Sequence, residues 1–461
     1  MITYETSNFV TLGALGFLGL SPLLMRFRAE NFFLAYLAVL LLFTGTLYGQ
    51  LDVSTLKMND KDIFTVYTRG EGVLTISAIK IYLLLLTLYI GVVCRKCKKN
   101  VELSGYKVGL LLAMLSVYYL LYALIGYVFG VTFQNIVASS GGVCFVFMLM
   151  FHFVLKRSLI RQSNIDRFCE VFIVITVAMA VYGLARLPFG GDPANYYANF
   201  EKKAVVLTFF DIGQGAISCV ALVLLVLKRK ELFPLGLWRG IWILLLIANI
   251  ILSYRREAWV GILLVLGFAI YWGPMIRKVF LLVLGALLIV TILFVSESRF
   301  TSVAHSGKDQ TFSDITNKSG NVVVKSGRFG ELYAAVMVTL FNSPVFGLGP
   351  WGNQEITARD GVLGFVHSSF VHIFSKMGFV GLTLYFWFIV GFFSWWLRTR
   401  KKRWNNNSLL RIGDAFFLGF IFFVPDLLFG TPTIIYRHYQ LLTLFMTIPF
   451  TVWQIDQAET Q

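Results

Sequence analysis

Long apolar runs return along almost the whole chain, and they decide what it can fold into. A helix needs about 20 predominantly apolar residues to cross the hydrocarbon core of a bilayer. Apolar residues make up 57% of the 461 residues and charged residues only 14%, whereas soluble domains carry about 25% charge. The runs lie at about 8–25, 31–50, 73–93, 108–128, 136–155, 168–185, 206–227, 235–252, 258–272, 279–296, 378–397, 412–430 and 438–453.

These runs predict an all-α polytopic membrane protein with 12–13 transmembrane helices. We interpret residues 1–461 as a single membrane domain, in which the run at 8–25 is the least secure span. We find no tandem repeat of fixed period in the chain.

Positive charge is distributed unevenly between the two sets of connections. One set holds 22 Lys and Arg in 58 residues, and the other holds 15 in 131 residues. Cytoplasmic loops carry the excess of Lys and Arg in membrane proteins. The dense set is therefore predicted to be cytoplasmic, which explains the net charge of +16 without nucleic acid as a partner.

One long connection, 297–366, interrupts the pattern shortly before the last three spans, and the charge bias places it outside. Within it, residues 329–341 are apolar with helix formers and predict an amphipathic helix lying on the membrane. Asn342-Ser343-Pro344 should end that helix, and the glycines of 346–352 predict a turn. A connection of this length in a compact protein is usually functional or disordered.

Ionisable residues inside or beside the spans are concentrated at the predicted outer side. Such residues are costly at membrane depth and usually functional. If the spans form a bundle, these side chains could line one outward-facing cavity. They are Asp211, Arg255, Arg256, Glu257, Arg328, Glu331, His367, His372, Asp426, Arg437 and His438, together with the polar Gln214.

Arginine and histidine together suit glycosyl transfer from a lipid diphosphate. The guanidinium group is a permanently charged planar fork that matches phosphate oxygens, and histidine can accept a proton from an attacking hydroxyl near neutral pH. Structural alternatives remain open for several of these residues. Arg255 and Arg256 could be ordinary loop charges, Arg328 could bind lipid headgroups, and His367 could cap a helix.

Two stretches resemble the shared module of bacterial O-antigen ligases and O-antigen polymerases. The first runs from Arg328-Phe-Gly-Glu-Leu332 through Asn342-Ser-Pro-Val-Phe-Gly-Leu-Gly349 to His367 and Gly378-Phe-Val-Gly381. The second is Ser253-Tyr-Arg-Arg-Glu-Ala-Trp-Val-Gly261, which looks like the earlier arginine motif of that family. The resemblance covers 253–381, with Ser368 standing where the family often has Asn.

The resemblance implies an all-helical membrane glycosyltransferase of the GT-C kind in the bacterial inner membrane, with its site facing the periplasm. Its donor would be an oligosaccharide on undecaprenyl diphosphate, and transfer would invert the anomeric carbon with no metal and no cofactor. Arg255 or Arg256, with Arg328, matches the arginines expected to grip the diphosphate, and His367 matches the histidine expected near the acceptor hydroxyl. The predicted catalytic residues are therefore His367, Arg255, Arg256 and Arg328. The candidate substrate-binding residues are Arg437, His438, Asp211, Glu331, His372 and Asp426.

Three functions are consistent with these features. The first is an O-antigen or surface polysaccharide polymerase, whose acceptor is a second lipid-linked glycan; it is favoured by the long external connection with its polar first half. The second is an O-antigen ligase, whose acceptor is lipid A–core. The third is a transporter of lipid-linked oligosaccharide, although transporters place polar sites near the midplane and often contain internal repeats. Membrane lipids are further expected partners, and a chain-length regulator is a candidate partner.

Overall fold

The computed structural model describes residues 16, 20, 29–42, 50–52, 57–59, 78–93, 107–130, 143–159, 161–185, 212–227, 236–253, 256–272, 285–286, 289–290, 328–349, 357–358, 361–362, 366–403, 408–430 and 436–460. Twelve helices lie within these described residues. They are α1 (Ala29–Leu42), α2 (Ala78–Val93), α3 (Val108–Val128), α4 (Val143–Ser158), α5 (Gln162–Ala185), α6 (Ile212–Leu227), α7 (Gly236–Ile251), α8 (Arg256–Trp272), α9 (Arg328–Asn342), α10 (Ser369–Arg403), α11 (Ser408–Phe429) and α12 (Tyr436–Thr460).

The all-helical class is confirmed. Eleven of these helices fall on predicted spans, and α9 falls on the predicted surface helix. Four helices are long and apolar enough to cross a membrane by length and composition: Val108–Val128, Gln162–Leu184, Ser369–Lys401 and Leu409–Phe429. Most of the others are shorter apolar helices, and the predicted spans 8–25 and 279–296 lie almost wholly outside the described residues.

Two small antiparallel hairpins accompany the helices. Strand β1 (Gln50–Asp52) pairs with β2 (Lys57–Asn59), and β3 (Thr357–Ala358) pairs with β4 (Gly361–Val362). The second hairpin belongs to the predicted external connection 297–366. Neither hairpin changes the helical class, because each strand has only two or three residues.

Helices α11 and α12 form the centre of the bundle. Their apolar side chains are buried almost all round, in a core that also takes in α1, α4 and α6. Helix α3 lies at the periphery and exposes a broad apolar face that includes Leu110, Leu121 and Leu124. An apolar face of this kind is what a helix in contact with lipid tails requires, because no water is present to favour polar side chains.

Side-chain contacts group the helix ends into two levels. At one level Arg437, near the start of α12, contacts the end of α1 and the start of α6. At the other level Arg400 of α10 pairs with Asp414 of α11, with Nε 3.0 Å from Oδ1. From Asp414 to Asp426, α11 rises by about 18 Å at 1.5 Å per residue. We call the first level the outer helix ends, because it is the side that the charge bias predicts to be external.

Arg400 contacts an aromatic ring and a carboxylate at the opposite level. Its guanidinium carbon lies 3.8 Å from the centroid of the Trp272 ring, and the indole of Trp396 donates to the same carboxylate oxygen of Asp414 at 3.2 Å. Helices α8, α10 and α11 are therefore locked together away from the outer helix ends. A buried carboxylate requires such partners, since an unpaired charge is costly to bury.

Helix α10 is broken near its start. Gly378 has φ 63° and ψ −163°, which separates a short half-helix, 369–377, from the long remainder. The residues that follow α9, Ser343–Gly349, pack into this break, and Gly347 and Gly349 have φ of 76° and 93°. Left-handed values of φ favour glycine because they crowd a Cβ atom. The predicted glycine turn is thus docked against the helix that follows His367.

Candidate active site

The ten residues predicted for the site fall into three groups in the structure. Side chains are described for His367, His372, Asp426, Arg437 and His438. Backbone position alone is described for Arg256, Arg328 and Glu331, which lie in the first turns of α8 and α9. Arg255 and Asp211 lie outside the described residues.

Arg256 and Arg328 each stand at the first residue of a helix. The sequence places Arg256 and Glu257 in a short connection, whereas the structure includes both in the first turn of α8. The first N–H groups of a helix have no partner within it, and the aligned peptide dipoles leave partial positive charge there. An anion at either place would thus meet a helix N-terminus.

His367 lies directly before the half-helix of α10 and is partly exposed. Its neighbours Val366 and Ser368 are buried, and Ser368 N–H donates to the Val366 carbonyl at 2.8 Å in a tight turn. His372 follows one turn later, and its side chain is fully buried. Of the two histidines, His367 is therefore the one that a substrate could reach.

The middle of α9 packs on the segment that carries His367. Ala334 and Ala335 of α9 form a small apolar cluster with Val366, and the partly buried Leu332 and Val371 pack against it. Val366 and Val371 flank His367 on either side in the sequence, and Leu332 is one helical turn beyond Arg328. The structure thus brings the helix that begins with Arg328 against the segment that carries His367.

His438 and Asp426 face each other between the outer helix ends of α11 and α12. His438 Nδ1 lies 3.4 Å from Asp426 Oδ2, and both side chains are buried. The imidazole also makes an edge contact with the Phe423 ring, at 5.7 Å between centroids. Gly430 leaves the room that this carboxylate occupies, because a Cβ there would overlap Asp426 Oδ1.

Arg437 is fully buried and ties three helices together. Its Nε donates to the Leu40 carbonyl at 3.1 Å, and Nη2 donates to the Leu41 carbonyl at 3.4 Å and to Gln214 Oε1 at 3.0 Å. Leu40 and Leu41 lie in the last turn of α1, where carbonyls lack helical partners and a cation is favourable. These contacts give Arg437 the geometry of a cap for α1.

Arg437→Ala should therefore lower the stability of the protein. Removing the guanidinium leaves two backbone carbonyls and an amide oxygen buried without their donor, a loss of about 3 kcal/mol. Thermal unfolding in nanodiscs should show a lowered Tm, whereas Arg398→Ala, at an exposed position of α10, should leave Tm unchanged. An unchanged Tm with a raised KM for the donor would instead assign Arg437 to substrate binding.

An aromatic patch with a lysine adjoins Arg437 at the outer helix ends. Lys80 Nζ lies 5.5 Å from the Phe147 ring centroid and 5.8 Å from that of Tyr436. The Tyr436 hydroxyl shares a 2.7 Å hydrogen bond with the Tyr36 hydroxyl. The two tyrosines are absent from the sequence prediction; the only local signal is that Tyr436 directly precedes Arg437-His438.

No cluster of three His, Cys, Asp or Glu side chains that could hold a metal ion occurs among the described residues. Residues 241–386, about a third of the chain, match the family model described as O-antigen ligase. The matched segment contains Arg256, Arg328 and His367. No curated protein matches the chain.

Proposed function

We propose, from the premise that residues 241–386 place this chain in the superfamily of O-antigen ligases and polymerases, that it is a surface polysaccharide polymerase. The superfamily consists of membrane glycosyltransferases. The observation that carries the proposal is this match, since it spans the arginine that opens α8, the arginine that opens α9 and His367. The partly exposed His367 beside α9 supports it.

The proposed reaction transfers a growing glycan from undecaprenyl diphosphate to a lipid-linked repeat unit. His367 accepts the proton of the acceptor hydroxyl, and that oxygen attacks the anomeric carbon of the donor sugar. The bond from the anomeric carbon to the diphosphate oxygen breaks as the new glycosidic bond forms, with inversion. The diphosphate leaves with the bonding electron pair.

The arginines act on the leaving diphosphate in this proposal. Negative charge builds on its oxygens as the bond breaks, and fixed cations directed at developing charge lower the barrier. Arg328 and Arg255 or Arg256 grip the oxygens, with support from the helix N-termini of α8 and α9. Arg437, His438, Asp426, His372, Glu331 and Asp211 shape the surrounding pocket, and Arg437 acts mainly by holding α1 and α6.

The site faces the periplasm from the bacterial inner membrane in this proposal. The charge bias puts the ends of α1 and α11 and the starts of α6 and α12 on the same outer side, and Arg437 and His438 bring those ends together. A donor whose sugar lies at the outer leaflet could then enter from the bilayer, and no soluble nucleotide sugar would be needed.

A ligase is the second candidate, because the description of the matching family model is O-antigen ligase. The same arginines and histidine would serve, with lipid A–core in place of the lipid-linked acceptor. We favour the polymerase because the long external connection 297–366 has a polar first half of about 30 residues, which is extra surface for a second lipid-linked substrate. Neither function requires transport of the lipid across the membrane.

Purified protein with one lipid-linked repeat unit as its sole substrate distinguishes these functions. A polymerase produces longer lipid-linked chains without lipid A–core. Transfer only after lipid A–core is added would reverse our order and assign a ligase. The His367→Ala variant, purified by the same procedure, controls for contaminating transferases.

A further inference from the structure

We propose that the contact between the Ser343–Gly349 turn and the break at Gly378, here called the splice junction, positions the Arg328 helix against His367. The proposal rests on the proposed function, because it assigns those two residues to one reaction. It adds Gly347, Gly378, Tyr118 and Tyr122 as positioning residues, none of which needs to touch the substrate.

The turn replaces the hydrogen bonds that α10 loses at its break. In a continuous helix, the N–H groups of Phe379 and Val380 would donate to the carbonyls of residues 375 and 376. Instead Phe379 N–H donates to Pro344 O at 2.9 Å, and Val380 N–H donates to Val345 O at 3.2 Å.

The carbonyls of the half-helix find their donors in the same turn. Ser375 O accepts from Leu348 N–H at 2.8 Å, and Lys376 O accepts from Gly349 N–H at 3.1 Å. Every backbone group of the two missing helical bonds is therefore satisfied by 344–349. This matters in a membrane protein, where an unsatisfied backbone group cannot turn to water.

Two tyrosines of α3 complete the splice junction from its other side. The Tyr118 hydroxyl donates at 3.1 Å to the Met377 carbonyl, which directly follows the two carbonyls that the turn satisfies. The Tyr122 hydroxyl donates to the Phe346 carbonyl. Hydroxyls from a third helix thus bond one carbonyl on each side of the splice junction.

Gly347 and Gly378 let the two backbones approach closely. A Cβ on Gly347 would lie 2.4 Å from the Gly378 nitrogen, and a Cβ on Gly378 would lie 2.3 Å from the Val345 oxygen. Both residues also have left-handed φ. The splice junction therefore has no room for a Cβ atom at either glycine, because the nearest atoms belong to the backbone and not to a flexible side chain.

The splice junction and the apolar cluster clamp α9 at two places. The turn directly follows α9 and fixes that end of the helix to α10, while Ala334 and Ala335, near the middle of α9, pack on Val366. Two separated contacts fix both position and orientation. Since a misplacement of about 1 Å can lower turnover about 100-fold, this clamp sets how well Arg328 and His367 can act on one substrate.

The double variant Tyr118→Phe with Tyr122→Phe tests the splice junction, because it removes the two hydroxyls and keeps both rings. We expect kcat for chain transfer to fall about tenfold or more, with a smaller change in KM. Tyr127→Phe is the matched control, since Tyr127 is an exposed residue of the same helix. A kcat equal to that of the parent would overturn the proposal.

Rescue separates positioning from general damage. Ala335→Cys with Val366→Cys places two thiols within the apolar cluster, where a disulfide would hold α9 against the His367 segment. In the double tyrosine variant, oxidation should restore most of the lost kcat, and reduction should remove it again. If oxidation does not raise the kcat of the double tyrosine variant, the positioning role is contradicted.

The rate of disulfide formation tests the splice junction without measuring glycan transfer, so that its failure can be told apart from a failure of the proposed function. The rate at which the two introduced thiols form their disulfide should fall in the tyrosine variant and in Gly378→Ala. It should stay unchanged in Gly240→Ala, where a Cβ meets nothing within 4 Å. An unchanged rate in the tyrosine variant overturns the splice junction, whereas a parent protein that forms the disulfide but transfers no glycan overturns the proposed function.

Discussion

Replacing His367 with alanine is expected to lower chain transfer by about 10²–10⁴-fold, the usual contribution of a general base. His367 is partly exposed before the half-helix of α10, so the substitution removes a side chain that a substrate can reach and leaves little buried space. Initial rates of transfer from a lipid-linked repeat unit measure the loss. Protein abundance in the membrane and Tm should match those of the parent.

A second histidine provides the control for that experiment. His305 lies in the external connection 297–366, which His367 directly follows in the sequence, and we assign His305 no role. His305→Ala should transfer glycan at the parental rate. If His367→Ala also retains parental activity, His367 is not the base, and a structural role in the turn at Val366–Ser368 becomes the better interpretation.

The second large effect is expected for Arg328→Lys, which keeps the charge and loses the planar fork. A lysine cannot make the paired contact that a guanidinium makes with two phosphate oxygens. Loss of one such donor from a charge-stabilising site costs about 10²–10³-fold in kcat. The measurement is kcat with the lipid-linked donor at saturation.

Arg299→Lys makes the same chemical change in the same external connection and should leave kcat unchanged. If Arg328→Lys is equally silent, Arg328 binds lipid headgroups at the membrane surface rather than the diphosphate of the donor. The apolar packing of Leu332, Ala334 and Ala335 should hold α9 in place in either variant.

The helices could be predicted because the signal for each is local. Runs of apolar residues predicted eleven helices, and the break by Asn342-Ser343-Pro344 predicted that the surface helix ends at 341, one residue before the observed end of α9. Gly347 and Gly349 predicted a turn, and both have the left-handed φ that glycine permits. In each case, a stretch of fewer than about 25 residues contains the information.

The contacts between helices were harder to predict because their partners are far apart in the chain. Arg437 was predicted to bind substrate from its depth alone, whereas its guanidinium donates to carbonyls of Leu40 and Leu41, nearly 400 residues earlier. The sequence named Gly347 and Gly378 as motif residues, yet it gave no sign that their backbones touch. The sequence prediction named Asp426 and His438 only as separate candidates, whereas the structure pairs them across a single short connection.

A structure with a non-hydrolysable glycan on undecaprenyl diphosphate bound is the most direct test that one pocket holds both reacting groups. We expect the diphosphate oxygens within hydrogen-bond distance of Arg328 and of Arg255 or Arg256. The anomeric carbon should lie where a hydroxyl bonded to His367 could attack it. A diphosphate bound away from these arginines, with His367 out of reach of the sugar, would contradict the proposed function.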